Sequence, residues 1–253
     1  MSDIDPSAFV ERRNLLGSNT RVRPGARIEG DVKIGVNVLI DSNTIILGPA
    51  NIGNRTYVGT NCVIGHPDVS ELNELRHAYS SISKARTLIG NNCVIRSGTT
   101  IYSAVSVGDN SVFGHNVMLR EEVVVGNGTK LGTNVVVDGK SIIGSNVSIQ
   151  TGVYVCTYST VEDDVFLGPC CVFANDKYVA QREFKLVGPM VKKGASIGAN
   201  AVLFPGIVIG EGAVVGAQAL VNKDAPPRSV YAGIPARKIG DVPANWCSSL
   251  LQS

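Results

Sequence analysis

The chain has 253 residues, a formal net charge of +2 and 17% charged residues. So even a balance argues against nucleic acid or an anionic membrane surface as a partner, and no apolar run is long enough to cross a bilayer. Met1–Asn14 lacks the charged-then-apolar order of a signal peptide, so the expected location is cytoplasmic. Aromatic residues make up only 6% while glycines number 28, the composition of a narrow aliphatic core with many tight corners.

Met1–Thr20 is polar and irregular and reads as a lead-in, residues 1–20. From Val22 an aliphatic residue returns at every sixth position, through Ile28, Ile34, Ile40, Ile46, Ile52, Val58 and Ile64. The segment His66–Arg86 then breaks the period and predicts an excursion loop near 66–88. The rhythm restarts at Ile89 and runs without a slip to Phe173, with a second small or β-branched position four residues after each aliphatic, as at Thr99, Val117, Val135 and Ser159. A second charged excursion, near 174–190, precedes Val191, Ile197, Leu203, Ile209, Val215 and Val221. A period of six fits neither a helix nor a heptad but does fit short strands joined by corners. The expected class is therefore all-β, a parallel β-helix over residues 21–225 with about ten coils. Asp224-Ala-Pro-Pro227 should end the ladder, because proline lacks the N–H that strand pairing needs. Residues 226–253 form a C-terminal segment, and Asp241–Ser253 reads as a short amphipathic helix.

Of the six cysteines, Cys62, Cys93 and Cys171 occupy inward positions as small hydrophobes. Cys156, Cys170 and Cys247 fall elsewhere. No zinc spacing or disulfide framework is expected.

Sorting the central block by every eighteenth residue separates three sides. Two carry glycine after the aliphatic and Asn or Gly at the turn, as at Asn92, Asn110, Asn116 and Gly128, residues that tolerate left-handed backbone. The third has Tyr102, Arg120, Asp138 and Cys156 in place of glycine, and Ala104, Glu122, Lys140, Tyr158 and Asp176 at the turn. A solenoid does not need that chemistry, so this side is the candidate contact or substrate surface, although a merely solvated face would look the same for Glu122, Lys140 and Asp138. His115, just before this side, is the lone histidine of the regular coils and the side chain there that titrates near neutrality.

The hexapeptide rhythm with Gly194-Ala-Ser-Ile-Gly-Ala-Asn-Ala201 and the ending Val221-Asn-Lys-Asp224 then Gly233-Ile-Pro-Ala-Arg237 resembles the left-handed β-helix acyltransferases that use acetyl-CoA. More narrowly, Phe113-Gly-His-Asn-Val-Met-Leu-Arg-Glu-Glu122 and Val161 through Tyr178 resemble the branch that N-acetylates nucleotide-linked amino sugars, precursors of cell-surface glycans. The resemblance implies a left-handed parallel β-helix, a homotrimer with sites between subunits, and acetyl-CoA as co-substrate without a metal. It implies His115 as base or orienter and Asn175, three coils further along, as a second catalytic residue that holds the sugar with Asp176. It places Arg120, Glu121, Asp176, Lys177 and Tyr178 on the sugar nucleotide. CoA would follow Gly194, Ala195, Ser196 and Ala213, with Lys223, Arg237 and Lys238 at its phosphates.

Other functions on such a fold stay open. O-acetylation of a hydroxyl and N-acylation of an amino-dicarboxylate would use the same cofactor site. A zinc carbonic anhydrase needs three converging histidines, whereas His66 and His77 lie on the first excursion, away from His115. A non-catalytic solenoid would not need the irregular third side.

Overall fold

The structure, a computed structural model, describes residues 2–12, 15–78 and 85–246. It divides into two compact units, Met1–Val123 and Val124–Ser253, and each is built from parallel coils of three short strands. In the first unit Val94–Ile95 pairs with Val112–Phe113, and Thr100–Tyr102 with Met118–Leu119. In the second, Ile142–Ile143 pairs with Thr160–Val161, and Tyr154–Val155 with Val172–Phe173. Partners stand eighteen residues apart in each case, because three hexapeptides close one coil.

The periodic aliphatics and their companions four residues on form the core. Ile95, Ile101, Phe113, Leu119, Val135, Ile149, Leu167 and Phe173 are all buried, and so are Thr99, Ser111, Thr129, Ser141 and Ser159. The inward hydroxyls are tolerated because they bridge coils. Thr129 Oγ1 donates to the Gly144 carbonyl at 2.8 Å and accepts from the Val147 amide at 3.1 Å. Thr44 bridges Gly59 and Cys62 in the same way. The inward thiols copy this pattern: Cys93 Sγ meets the Gly108 carbonyl at 3.3 Å.

Each corner needs one left-handed residue. Asn92, Asn110, Asn116, Asn134 and Asn146 have positive φ near 55–60°, and Gly98, Gly128 and Gly152 do the same. On the third side this conformation falls to Ala104, Glu122, Lys140 and Tyr158, residues for which it is unfavourable.

Three local expectations change. The lead-in contains strands, since Asp3–Ile4 pairs with Arg21–Val22 and Phe9–Val10 with Arg27–Glu29. The first excursion, read as irregular, contains a helix, Val69–Ala78. Asp68 caps it by accepting from the Glu71 amide at 2.8 Å while Glu71 accepts from the Asp68 amide at 2.9 Å, a capping box that a loop reading overlooked. Pro226 and Pro227 mark a corner rather than the end of the ladder, because Ser229–Gly233 resumes parallel pairing with Val214–Val215. Coils at both ends bring the count to about 12 turns. Ala236–Asp241 then returns antiparallel on Ser229–Gly233, and of the stretch expected as a helix, Asp241–Ser253, residues 242–246 are irregular. The rest of that segment, residues 247–253 with Cys247, lies outside the described residues, as do residues 79–84 and the His77 side chain.

Candidate functional site

The sequence-predicted CoA stretch borders a groove of about 460 Å³ in the second unit, lined by Gly194, Ser196, Lys193, Arg228 and Trp246 among others. Coil pairing exposes the outward side of Ser196 here while turning Ala195 and Ala213 inward, both fully buried. Their backbone groups are engaged between coils: the Ser196 amide donates to the Ala213 carbonyl at 2.9 Å and the Gly194 amide to the Asp163 carbonyl at 3.0 Å.

The far wall is tied in place by Arg228. Its Nη2 donates to the carbonyls of Val242 and Pro243 at 3.3 and 3.0 Å, and the Val242 amide donates back to the Arg228 carbonyl at 2.7 Å. This strap brings Trp246, which is 55% exposed, to the groove. Lys193 reaches Asp164 at 3.5 Å. The predicted cations Lys223, Arg237 and Lys238 are exposed outside the groove lining, and Lys238 pairs with Asp241 at 2.6 Å. Lys193, Arg228 and Trp246 were missed; the sole tryptophan of the chain was the available signal.

Asn175 through Tyr178 open the second excursion in the same unit. The Asn175 side-chain Nδ2 donates to the Thr157 carbonyl at 3.3 Å, and the Asn175 backbone carbonyl accepts from the Val187 amide at 3.1 Å. The Asp176 carboxylate accepts from the amides of Tyr178 at 2.8 Å and Ala180 at 2.6 Å. These amides, with that of Val179, hold its carboxyl below the ordinary aspartate value. Tyr178 lies under the Arg182 guanidinium at 3.7 Å and edge-on to Phe184 at 5.2 Å. Lys177 points outward and is exposed.

In the first unit the irregular side carries a stacked column. The Arg120 guanidinium lies 4.9 Å from the Tyr102 ring, and the His66 imidazole lies 4.7 Å from the same ring. Glu121 pairs with Arg120 at 3.0 Å. Asp68 sits at the adjoining helix start, where burial disfavours its charge but the Glu71 amide, Ser70 and Arg120 together hold its carboxyl below the usual value. His115 is exposed at the corner that leads into this side, beside Asn116 at φ 55°. Arg120 stands at the corner that leaves it, so the two predicted residues occupy opposite ends of one face. Tyr102 and Arg120 stack by the eighteen-residue count, and His66 joins them through a register shift that no six-residue count reveals.

Two family profiles match this chain. One, described as bacterial transferase hexapeptide (six repeats), covers residues 86–121, and one, described as hexapeptide repeat of succinyl-transferase, covers 104–139 and 193–222. Galactoside O-acetyltransferase of Escherichia coli (strain K12) is 32% identical over 89 residues, 33% of this chain and 44% of that protein. The dTDP-3-amino-3,6-dideoxy-alpha-D-galactopyranose 3-N-acetyltransferase of Aneurinibacillus thermoaerophilus is 53% identical over 53 residues, 21% of this chain and 28% of that one. The chain thus spans less than half the length of these curated relatives. The structure of Arabidopsis UDP-N-acetylglucosamine acyltransferase aligns with a TM-score of 0.53 at 15% identity, over 95% of this chain and 73% of that one, a likeness of fold. Repeats, coil geometry and fold agree: the chain is a hexapeptide-repeat protein with the left-handed parallel β-helix fold, related in sequence to acetyltransferases of that repeat.

Proposed function

We propose that the protein is an acetyl-CoA-dependent N-acetyltransferase whose acceptor is the amino group of a nucleotide-linked sugar. The observation that carries this reading is the groove at Gly194 and Ser196, where two cations and an indole meet beside the stretch expected to bind CoA. Trp246 offers a flat apolar face for adenine, and Lys193 and Arg228 supply positive charge for phosphate groups. Acetyl-CoA, once bound, supplies a thioester carbonyl open to attack by an amine. The protein's part is to align the acceptor, receive or relay its proton, and stabilise the developing oxyanion. His115 is the proposed base or orienter. Asn175 and Asp176 shape the loop that presents Lys177 and Tyr178, and Arg120 and Glu121 serve the nucleotide sugar. The identity to an amino-sugar N-acetyltransferase supports the amine acceptor, and the galactoside enzyme keeps a hydroxyl acceptor as the second reading.

A homotrimer suits the second unit, where two of the three outward faces are apolar. Val124 and Ile142 are exposed on one, Tyr154 and Val172 on another, while the third presents Lys130. Two unlike apolar faces per subunit permit a closed ring of head-to-tail contacts. The acetyl-CoA pool makes the cytoplasm the compartment this reading requires.

The test is thiol release from acetyl-CoA against a panel of amino-sugar nucleotides and hydroxyl acceptors. Turnover with an amine acceptor supports the proposal; turnover confined to hydroxyl acceptors selects the second reading, and no thiol release with any acceptor rejects both. His115→Ala should then lower kcat by about 10²–10⁴-fold with little change in acetyl-CoA affinity if the imidazole is the base. Light scattering that returned a monomer at micromolar concentration would remove the trimer.

A further inference from the structure

The first excursion does more than leave the coil. At Gly65 the strand Val63–His66 bulges, so that His66 rather than its predecessor comes into register with Tyr102. Gly65 has φ 79°, and a Cβ there would collide with the Leu47 carbonyl. The bulge therefore depends on glycine, and bulges of this kind re-aim a side chain. Here the re-aimed side chain is an imidazole laid against Tyr102, whose ring also carries the Arg120 guanidinium.

The chemistry of His66 follows from its neighbour. Its Nδ1 lies 2.8 Å from the Pro67 carbonyl oxygen. A carbonyl can only accept, so Nδ1 bears the hydrogen, and in the neutral ring Nε2 keeps the lone pair. The carboxylates around it are engaged with the protein. Asp68 accepts from Ser70 and the Glu71 amide, Glu71 accepts from Ser103 Oγ at 2.8 Å and the Asp68 amide, and Glu121 holds Arg120. The Glu71–Ser103 bond also fastens the helix start to the coil that carries Tyr102. The cluster thus presents an oriented nitrogen acceptor and a guanidinium against the same aromatic ring.

We propose that this His66–Tyr102–Arg120 column is a recognition site for the acceptor substrate. His66 Nε2 takes a hydrogen bond from a sugar hydroxyl, and Arg120 engages the phosphate linked to that sugar. The ligand class is a sugar joined to a diphosphate, and the assignment rests on the sugar-nucleotide reading above.

Titration calorimetry without acetyl-CoA tests it, using UDP- and dTDP-linked amino sugars beside UDP and dTDP alone. His66→Asn keeps an N–H for the Pro67 carbonyl but removes the outer acceptor, whereas His66→Gln places an oxygen near the Nε2 position. The expected result is a loss of about 10-fold in sugar-nucleotide affinity for His66→Asn, with smaller loss for His66→Gln. UDP or dTDP affinity should be unchanged by either, and weakened by Arg120→Gln. Equal binding by wild type and His66→Asn, at matched thermal stability, would make the stack purely structural and overturn the proposal. A wild type that bound no sugar nucleotide would overturn it too, while acetyl-CoA binding, followed by Trp246 fluorescence, would leave the acyltransferase reading standing.

Discussion

At the scale of single residues the inward hydroxyls set a clear contrast. Thr129 bridges two coils, but Thr99, equally buried, has no hydrogen-bond partner for Oγ1. An unsatisfied buried hydroxyl costs stability and its removal with shape retained does not. Thr99→Val should therefore be neutral or stabilising by up to about 1 kcal/mol, while Thr129→Val should cost about 1 kcal/mol, both read from urea unfolding midpoints. The thiols give a second prediction. Burial pushes Cys156 up to about 11 and Cys171 up to about 12, so neither forms appreciable thiolate at pH 8. Brief iodoacetamide treatment of the native protein, mapped by mass spectrometry, should modify exposed Cys170 well before Cys156 or Cys171. Glu162 supplies a pH dependence. Lys192 at 2.7 Å, aided by the Lys193 amide, holds its carboxyl below the ordinary value against a burial effect of opposite sign. A carboxylate lowered on folding contributes stability above its unfolded pKa and loses it as pH falls through the folded value. The difference in Tm between wild type and Glu162→Gln should accordingly be largest near neutrality and close at acid pH; a gap that persisted there would sink this account.

Among the elements, the second excursion depends on one side chain. Asp176 joins two amides at a turn where Val179 and Ala180 both take positive φ, 51° and 60°. Without that carboxylate the loop loses the bonds that offset its backbone strain. Asp176→Ala should speed amide exchange and proteolysis across residues 177–186 while leaving Tm nearly unchanged, since the coils do not depend on it. If the loop stayed fully protected, its shape would owe nothing to Asp176. The helix Val69–Ala78 is the opposite case, since its capping box and the Glu71–Ser103 bond are made at its start.

For the whole molecule the inward ladder is the source of stability, because each coil buries its aliphatics only against its neighbours. Val135 is fully buried. Val135→Asp would place an unpaired carboxylate in that ladder and should cost about 3–5 kcal/mol, seen as a large fall in Tm. An unchanged Tm would show that the inward register is wrong at this coil.

The sequence by itself determined the coil. A six-residue period, a small residue four places on, and Asn or Gly at the turn leave a parallel β-helix as the one regular solution, and the burial of Ile101, Val135 and Phe173 follows from counting alone. It also singled out the third side, because Tyr102, Arg120 and Tyr158 stand where the repeat asks for small or turn-forming residues. What only the tertiary structure decided lies where the count stops. The bulge that carries His66 to Tyr102, the Arg228 strap that brings Trp246 to the groove, and the antiparallel return of Ala236–Asp241 all depend on contacts between residues with no fixed spacing. A repeat is legible because every turn obeys the same local steric rule; a site built from departures from that rule becomes visible only when the chain has closed on itself.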